Sequence, residues 1–236
     1  MVYMKRKGIL PLVYLVVVAG MLALFHWGSR SVTVISQRIP IERKHCIVID
    51  PGHGGVDGGA TSCTGVLESN LNLEISLRLN DLLLFLGYNT RMIRTTDCSV
   101  YSTGESIAQK KISDLKERVR MVGETTNPVL LSIHQNNFPD GRYSGAQVFY
   151  AKAGKSAELA EQMQSAMVHY LNPGSNRKIK EAKGIYLMEH IQCTGILIEC
   201  GFLSNVREEQ LLRTAEYQQK LCAVIASTVC CFLSNT

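Results

Sequence analysis

Residues 46–87, CIVIDPGHGGVDGGATSCTGVLESNLNLEISLRLNDLLLFLG, decide the fold because they place a short apolar run, a glycine-rich loop and a helical pattern in succession. The run CIVID is typical of a buried strand. Apolar side chains then recur at helical spacing, at positions 71, 75, 79, 82 and 86, before Gly87 ends the pattern. The stretch therefore predicts a strand, a loop and an amphipathic helix, in that order.

The rest of the chain continues to alternate between strand and helix patterns. Further strands are predicted at 89–94, 128–136, 145–151, 184–188 and 194–200. Helices are predicted at 113–124, 155–171, 205–213 and 214–233, two of them with Ser156 and Asn205 as N-caps. This alternation favours one α/β domain with a mostly parallel sheet, and the short apolar strands indicate helices on both faces of it.

Three side chains that can bind a metal or transfer a proton lie at or just after the ends of predicted strands, and a fourth opens a predicted helix. His53 follows the first strand, His134 ends an apolar run, and Glu199 closes the run ILIE. Glu68 opens the first helix, to which the glycine-rich loop leads. Because ligands of open α/β sheets bind beyond the carboxyl ends of the strands, these four side chains are expected to meet at one edge of the sheet.

Two imidazoles and two carboxylates are the composition of a catalytic zinc site. Three ligands of the His₂Glu type leave a fourth position for water, and a further carboxylate can act as general base. Taken singly, a loop histidine or a glutamate at a helix N-terminus usually has an ordinary structural role. The residue pattern alone therefore leaves both interpretations open.

The glycine-rich loop does not match a nucleotide-binding motif. A dinucleotide fingerprint that starts at Gly52 would need a glycine where the chain has Asp57, and neither G-x-x-x-x-G-K-[ST] nor G-x-S-x-G occurs. Phosphate binding and serine hydrolysis are therefore disfavoured, and the glycines are expected to turn the backbone sharply and leave space for substrate. Asp50 and Asp57 are expected to shape the loop, with Asp50 as the candidate to orient His53.

The N-terminus carries a predicted membrane anchor. Residues 8–29 contain no formal charge when His26 is neutral, and Lys5, Arg6, Lys7 and Arg30 flank them. That length spans a bilayer, the charge bias places residues 1–7 in the cytoplasm, and the bulky FHW segment argues against signal cleavage. We expect an uncleaved signal-anchor at 8–29, a linker at 30–44 and a catalytic domain at 45–236 outside the cytoplasm.

Charge and cysteine usage narrow the function classes. Residues 1–44 carry seven of the 25 basic groups and one of the 20 acidic groups, which leaves the remainder at −1 of the total net charge of +5. A nucleic-acid partner is therefore not expected. The eight cysteines form no C-x-x-C pair, so a structural zinc ribbon is disfavoured and most are expected to be buried small apolar residues.

Four blocks resemble one known family. The segments DPGHGGVDGGA, LESNLNLEIS, LLSIHQNN and ILIECGFLSN are similar, in the right order, to the signature blocks of zinc-dependent N-acetylmuramoyl-L-alanine amidases of the amidase-3 type. The resemblance covers about residues 45–233. The anchor, the QNNF and GAQVFY blocks and the lack of a wall-binding module resemble the sporulation and germination-specific, membrane-anchored branch of these bacterial enzymes.

The resemblance implies a fold, a site and a reaction. It implies a six-stranded mixed sheet flanked by helices, one Zn²⁺ held by His53, Glu68 and His134, and Glu199 as the catalytic glutamate. The implied reaction cleaves the amide between N-acetylmuramic acid and the L-alanine of the stem peptide in peptidoglycan. In the spore-forming branch this cleavage precedes muramic-δ-lactam formation in the cortex, and the domain faces the cell wall or cortex.

Two other functions remain open from the sequence. One is a catalytically silent, membrane-tethered regulator that binds peptidoglycan, and the other is a zinc peptidase that acts within the stem peptide. An accessory protein partner is compatible with this branch, although the sequence does not identify one. Residues 98–113 are expected as a long loop able to close over the groove, and Arg177, Lys178 and Lys180 are either contacts for acidic stem-peptide groups or a solvated surface cluster.

Overall fold

The apolar runs form a central sheet in the computed structural model, which describes residues 16–19 and 44–235. The strands are β1 (Cys46–Pro51), β2 (Asn89–Met92), β3 (Pro128–Asn136), β4 (Gln147–Tyr150), β5 (Lys180–Glu181) and β6 (Thr194–Phe202). The helices that alternate with them are α1 (Glu68–Phe85), α2 (Ile107–Gly123), α3 (Ser156–Tyr170), α4 (Tyr186–His190), α5 (Val206–Leu212) and α6 (Ala215–Ser234).

The strand order of the sheet is β2-β1-β3-β6-β4-β5. Strands β2, β1, β3 and β6 are parallel, whereas β4 runs antiparallel to β6 and carries β5 parallel to itself at the edge. Within the described residues, the sheet therefore has six strands and is mixed but mostly parallel. The predicted α/β class and the sheet implied by the family resemblance are confirmed.

Alternate side chains of the central strands enter two separate cores. Ile47 and Ile49 of β1 face the core that α1, α3 and α6 cover, whereas Val48 faces the core closed by α2 and α4. All three side chains are fully buried. Burial of one such side chain contributes about 1.5–3 kcal/mol, so both faces of the sheet contribute to the stability of the fold. Helices on both faces are confirmed.

One predicted strand is wrong. Residues 184–188, GIYLM, lie in and just before helix α4, and the edge strand of the sheet is β5 instead. The left-handed backbone of Gly184 (φ +77°) starts this turn, and the Gly184 N–H donates a hydrogen bond of 2.7 Å to Glu189 Oε1. A five-residue apolar run fits a buried helical turn as well as a strand, which is why its pattern misled.

Helix α2 begins six residues earlier than predicted. Ser106 accepts a hydrogen bond from the Gln109 N–H, and the Gln109 side chain accepts one from the Ser106 N–H, which makes a capping box. Residues 107–113, expected as part of a loop, are therefore helical. Asn205 is confirmed as the N-cap of α5, whereas Ser156 is the first residue of α3 and Lys155 precedes it as N-cap.

The thiols are distributed between core and surface. Only Cys200 and Cys222 are buried, whereas Cys63, Cys98 and Cys231 are exposed and the other three are partly exposed, so the expectation that most cysteines are buried is wrong. Burial in the core raises the pKa of Cys222 to about 12. That thiol is therefore protonated and acts as a small apolar residue at neutral pH.

Residues Arg43–Thr236 form one compact unit. The predicted anchor at 8–29 lies outside the described residues except for the helical residues 16–19, and the linker at 30–44 lies outside them except for Lys44. Across the ranges 16–19 and 44–235, no helix combines the length and the apolar character needed to cross a bilayer.

Candidate metal centre and active site

The carboxyl edge of the parallel strands brings together the four predicted side chains. His53 lies in the loop after β1, His134 lies near the end of β3, and Glu68 is the first residue of α1. Glu199 of β6 is the register partner of His134. Ligand atoms of His53, Glu68 and His134 all lie within 4.8 Å of one another. The structure thus places the three predicted ligands in one cluster, with Glu199 on the neighbouring strand.

Glu68 is the centre of this cluster. Its Oε2 lies 3.2 Å from His53 Nε2, and its Oε1 lies 3.0 Å from His134 Nδ1. Neighbouring ligands of a tetrahedral zinc ion, at about 2.0–2.1 Å from the metal, lie about 3.3–3.4 Å apart. The observed spacings are close to that value, and a His₂Glu donor set is one that catalytic zinc sites use. The residues therefore fit a zinc ion.

Backbone and amide donors fix the Glu68 carboxylate. Oε2 accepts a hydrogen bond from the Ala60 N–H, and Oε1 accepts one from the Gln135 N–H and one from Asn72 Nδ2. Burial opposes ionisation, but hydrogen bonds and charges from the two histidines hold the pKa of Glu68 well below its usual range. Glu68 is thus an ionised, immobile carboxylate, as a metal ligand must be.

His53 is held from its far side by Asp57. Asp57 Oδ2 lies 2.9 Å from His53 Nδ1, which leaves Nε2 directed at Glu68. A carboxylate at the second imidazole nitrogen fixes the tautomer and orientation of a metal-binding histidine. Asp50, the predicted candidate for this role, instead accepts hydrogen bonds from Arg118 Nη1 and Ser132 Oγ. The prediction named the wrong aspartate: Asp50 lies in β1, whereas Asp57 lies in the loop that carries His53.

Two glycines of the loop make room for the ligand side chains. A Cβ on Gly52 would lie 2.2 Å from His134 Nε2, and a Cβ on Gly59 would lie 2.6 Å from Glu68 Oε2. Neither distance is sterically possible unless the His134 or Glu68 side chain shifts. The glycines were expected to leave space for substrate; the structure shows that at these two positions they leave space for the metal-ligand candidates themselves.

Two buried arginines, which the sequence analysis did not single out, hold the loop. Arg94 donates to the carbonyls of Pro51 and Gly52, and Arg118 donates to those of Pro51 and His53. His53 has a left-handed backbone (φ +60°), which costs a non-glycine residue energy and persists only where its surroundings impose it. The two guanidinium groups supply that constraint.

A sequence signal for Arg118 was present in α2. Positions 115, 118, 119 and 122 share one helical face, and the other three carry Leu or Val. An arginine on the apolar face of a helix is rarely buried without paired acceptors. Arg118 has them, since it also forms ion pairs with Asp50 at 2.5 Å and Asp114 at 2.6 Å. Arg94 lies beyond the end of β2, and no comparable pattern marks it.

Glu199 lies at a cavity of about 360 Å³ beside the metal-ligand candidates. His53, His134 and Glu199 line the cavity together with Ser99 and Tyr101 of the segment before α2. Glu199 Oε2 is buried and has no hydrogen-bond partner within residues 44–235. Burial, with the nearby Glu68 charge, raises the pKa of Glu199 to about 7 despite the opposing histidines. Such a carboxyl group can accept and return a proton near neutral pH.

The basic segment NRKIK lies away from this cavity. Arg177 packs over the Phe202 ring at 4.5 Å and donates to Ser144 O and Gln147 Oε1. None of Arg177, Lys178 and Lys180 is among the cavity-lining residues. Arg177 therefore has a structural role, and the segment is not part of the lining of the cavity beside Glu199.

Comparison with known proteins relates the chain to one family of enzymes. The family model described as N-acetylmuramoyl-L-alanine amidase matches residues 47–231. The germination-specific N-acetylmuramoyl-L-alanine amidase of Bacillus subtilis (strain 168) is 36% identical over 189 residues, which is 79% of this chain and 78% of the relative.

Solved structures agree in fold and sequence. The CwlD amidase from Clostridioides difficile, in complex with the GerS lipoprotein, matches with a TM-score of 0.77 and 34% identity over 81% of this chain and 99% of that chain. An N-acetylmuramoyl-L-alanine amidase from Clostridium difficile 630 matches with a TM-score of 0.71 and 31% identity over 82% and 99%. On this agreement of family model, relative and fold, the chain belongs to the N-acetylmuramoyl-L-alanine amidase family.

Proposed function

We propose that the chain uses one zinc ion, held by His53, Glu68 and His134, to hydrolyse the amide between N-acetylmuramic acid and the L-alanine of the stem peptide. The observation that carries this proposal is the cluster itself. Two imidazoles meet a buried carboxylate within 4.8 Å, beside a cavity that holds an unpartnered glutamate. Family membership supplies the substrate class.

A zinc ion in this site supplies a Lewis acid that polarises the amide carbonyl and lowers the pKa of water to about 7. Glu199 accepts a proton from the attacking water, whose oxygen bonds to the carbonyl carbon. Glu199 then returns the proton to the alanine nitrogen as the carbon–nitrogen bond breaks. The carboxyl group has to be ionised before the attack and protonated after it.

The remaining site residues orient these groups. Asp57 holds the His53 ring, and the Asn72 amide holds Glu68 Oε1 while it also donates to the Gly52 carbonyl. Asn72 therefore links the helix that carries one ligand to the loop that carries another.

The biological setting follows from the relatives. We propose that the enzyme acts in spore cortex maturation, where its product is the precursor of muramic-δ-lactam, because the Bacillus subtilis relative is named germination-specific. We further propose that residues 8–29 anchor it outside the cytoplasm. The complex of the Clostridioides difficile relative with a lipoprotein supports an accessory protein partner for this chain as well.

Mass spectrometry of digested peptidoglycan tests the reaction. The 236-residue chain, supplied with zinc, should release peptides with new alanine N-termini and leave N-acetylmuramic acid without a peptide. Peptides cut within the stem would instead identify a zinc peptidase. Muropeptide binding without release of any peptide by the zinc-loaded chain would identify a silent peptidoglycan-binding regulator.

A further inference from the structure

Most charged groups that line the cavity beside Glu199 are already paired. Arg118 bridges Asp50 and Asp114, at 2.5 and 2.6 Å, and Lys111 Nζ lies 3.2 Å from Asp57 Oδ2. The remaining charged side chains of the lining, histidines aside, are Glu199 and Lys110. Glu199 has its role as the proton carrier of the proposed reaction. Lys110 has none yet.

Lys110 is a positioned cation. It lies in the first turns of α2, whose start the Ser106 capping box fixes, and its Nζ lies 5.3 Å from the centre of the Tyr101 ring. An aromatic face orients an ammonium group without neutralising its charge. None of the ion pairs formed within residues 44–235 includes Lys110. The ammonium group therefore keeps its capacity to pair with an anion that enters the cavity.

The surroundings of Lys110 favour an anionic ligand. Much of the remaining lining is aliphatic and comes from α2, from α4 and its N-cap residue, and from β6: Ile107, Leu115, Ile185, Leu187 and Leu197. An unpaired cation at an apolar wall discriminates between charged and neutral ligands, because water screens the pair poorly there. The unpaired Lys110 therefore favours a ligand that brings a negative charge into the cavity.

We propose that Lys110 binds a free carboxylate on the peptide side of the scissile amide, an inference that rests on the proposed function. The N-acetylated sugars of the glycan are uncharged apart from the lactyl group that the amide blocks, whereas the stem peptide carries free carboxylates. The first of these belongs to the γ-linked glutamate that follows alanine. This assignment places the stem peptide in the cavity and the glycan outside it.

The dimensions suit this carboxylate. A cavity of about 360 Å³ is roughly 7 Å across, and one extended residue spans about 3.3–3.6 Å. A carboxylate on the residue after alanine therefore lies within about one cavity width of the scissile amide. Lys110 would thus select stem peptides in which this carboxyl group is free over those in which it is amidated.

The test compares two variants on two substrates. The variants are Lys110→Gln and, as the matched control, Lys116→Gln, because Lys116 is an exposed lysine of α2 outside the cavity lining. The substrates are two muropeptides that differ only in whether the α-carboxyl group of that glutamate is free or amidated. Lys110→Gln should raise KM about tenfold for the free carboxylate, with kcat within about twofold, because an interaction with a charged group is lost. On the amidated substrate, Lys110→Gln and the parent should agree, as should Lys116→Gln and the parent on both substrates.

Calorimetry of the product peptides repeats the comparison without turnover. The zinc-loaded parent should bind the alanyl-γ-glutamyl peptide more tightly with the carboxyl group free than amidated, and Lys110→Gln should remove the difference. An equal effect of Lys110→Gln on both ligands, or no effect on either, would overturn the carboxylate assignment. A parent that releases no peptide refutes the proposed reaction instead, and the binding comparison then still decides the assignment of Lys110.

Discussion

Asp57 shows, at the residue scale, how one polar side chain prepares a metal ligand. It accepts from His53 Nδ1 at 2.9 Å and is itself held by Lys111 Nζ at 3.2 Å. Burial opposes ionisation, but His53 and Lys111 together hold the pKa of Asp57 below its usual range. The carboxylate is therefore charged at neutral pH and keeps His53 Nε2 free to face Glu68.

Removal of this carboxylate should weaken metal binding. In Asp57→Ala the His53 ring loses its orienting partner, so we expect zinc affinity to fall about 10–100-fold with little change in the fold. Chelator competition measures the affinity, and circular dichroism checks the fold. The control is Asp140→Ala, which removes an aspartate that is as accessible as Asp57, 32% in each case, and is paired with Arg142. Equal zinc affinity in Asp57→Ala and the parent would show that Asp57 does not orient the ligand.

At the scale of elements, α2 connects the loop that carries His53 to the segment before α2 that lines the cavity. Arg118 reaches from its buried face to the carbonyls of Pro51 and His53, and Asp114, one turn earlier, accepts from the Val100 N–H at 2.6 Å. The helix thereby holds both the loop that presents His53 and the segment that forms one cavity wall. A change at this helix face should affect metal binding and the cavity together.

Arg118→Lys tests this connection. A lysine keeps the charge but cannot reproduce the forked donors that serve two carboxylates and two carbonyls. We expect the free energy of unfolding to fall by about 2–3 kcal/mol and zinc affinity to fall with it. The matched control is Arg91→Lys, because Arg91 donates to Met121 O and Thr125 Oγ1 at the C-terminal end of α2. Arg91→Lys should leave zinc affinity unchanged, and parallel losses in both variants would contradict a specific role of Arg118.

The Asp50–Arg118 pair also makes stability depend on pH. Burial opposes ionisation of Asp50, but the Arg118 guanidinium and the Ser132 hydroxyl hold the pKa of Asp50 below its usual range. A lowered folded-state pKa contributes stability above the unfolded value of about 3.9, and that contribution is lost as pH falls through the folded value. Urea unfolding of the metal-free parent and Asp50→Asn should therefore give free energies that differ most at neutral pH and converge below about pH 4. A constant difference would contradict this account.

For the molecule as a whole, both the sheet and the edge of it that carries the site residues could be predicted from the sequence. Helix and strand periods are set by backbone geometry, so segments such as 46–50 and 68–87 are recognisable alone. Parallel strands end at one edge of a sheet, so the sequence alone predicts that His53, His134 and Glu199 lie together.

What the sequence missed depends on contacts between distant segments. Asp57, rather than Asp50, orients His53. The sequence could not show this, because a glycine-rich loop has no period from which side-chain directions follow. Arg94 contacts Ser69 and Gly52, 25 and 42 residues away, and no local pattern encodes such pairs. The run GIYLM became helical because burial of Leu187 and Met188 in one core overrides an ambiguous pattern.

The central claim is that the His53–Glu68–His134 cluster holds a zinc ion that Glu199 serves as proton carrier. The most direct test measures zinc content and peptide release together, for the parent and for Glu199→Gln. We predict about one zinc per chain in both proteins, alanine N-termini released by the parent, and turnover about 10²–10⁴-fold lower in the variant. Full activity in a zinc-free parent, or unchanged turnover in Glu199→Gln, would contradict the account.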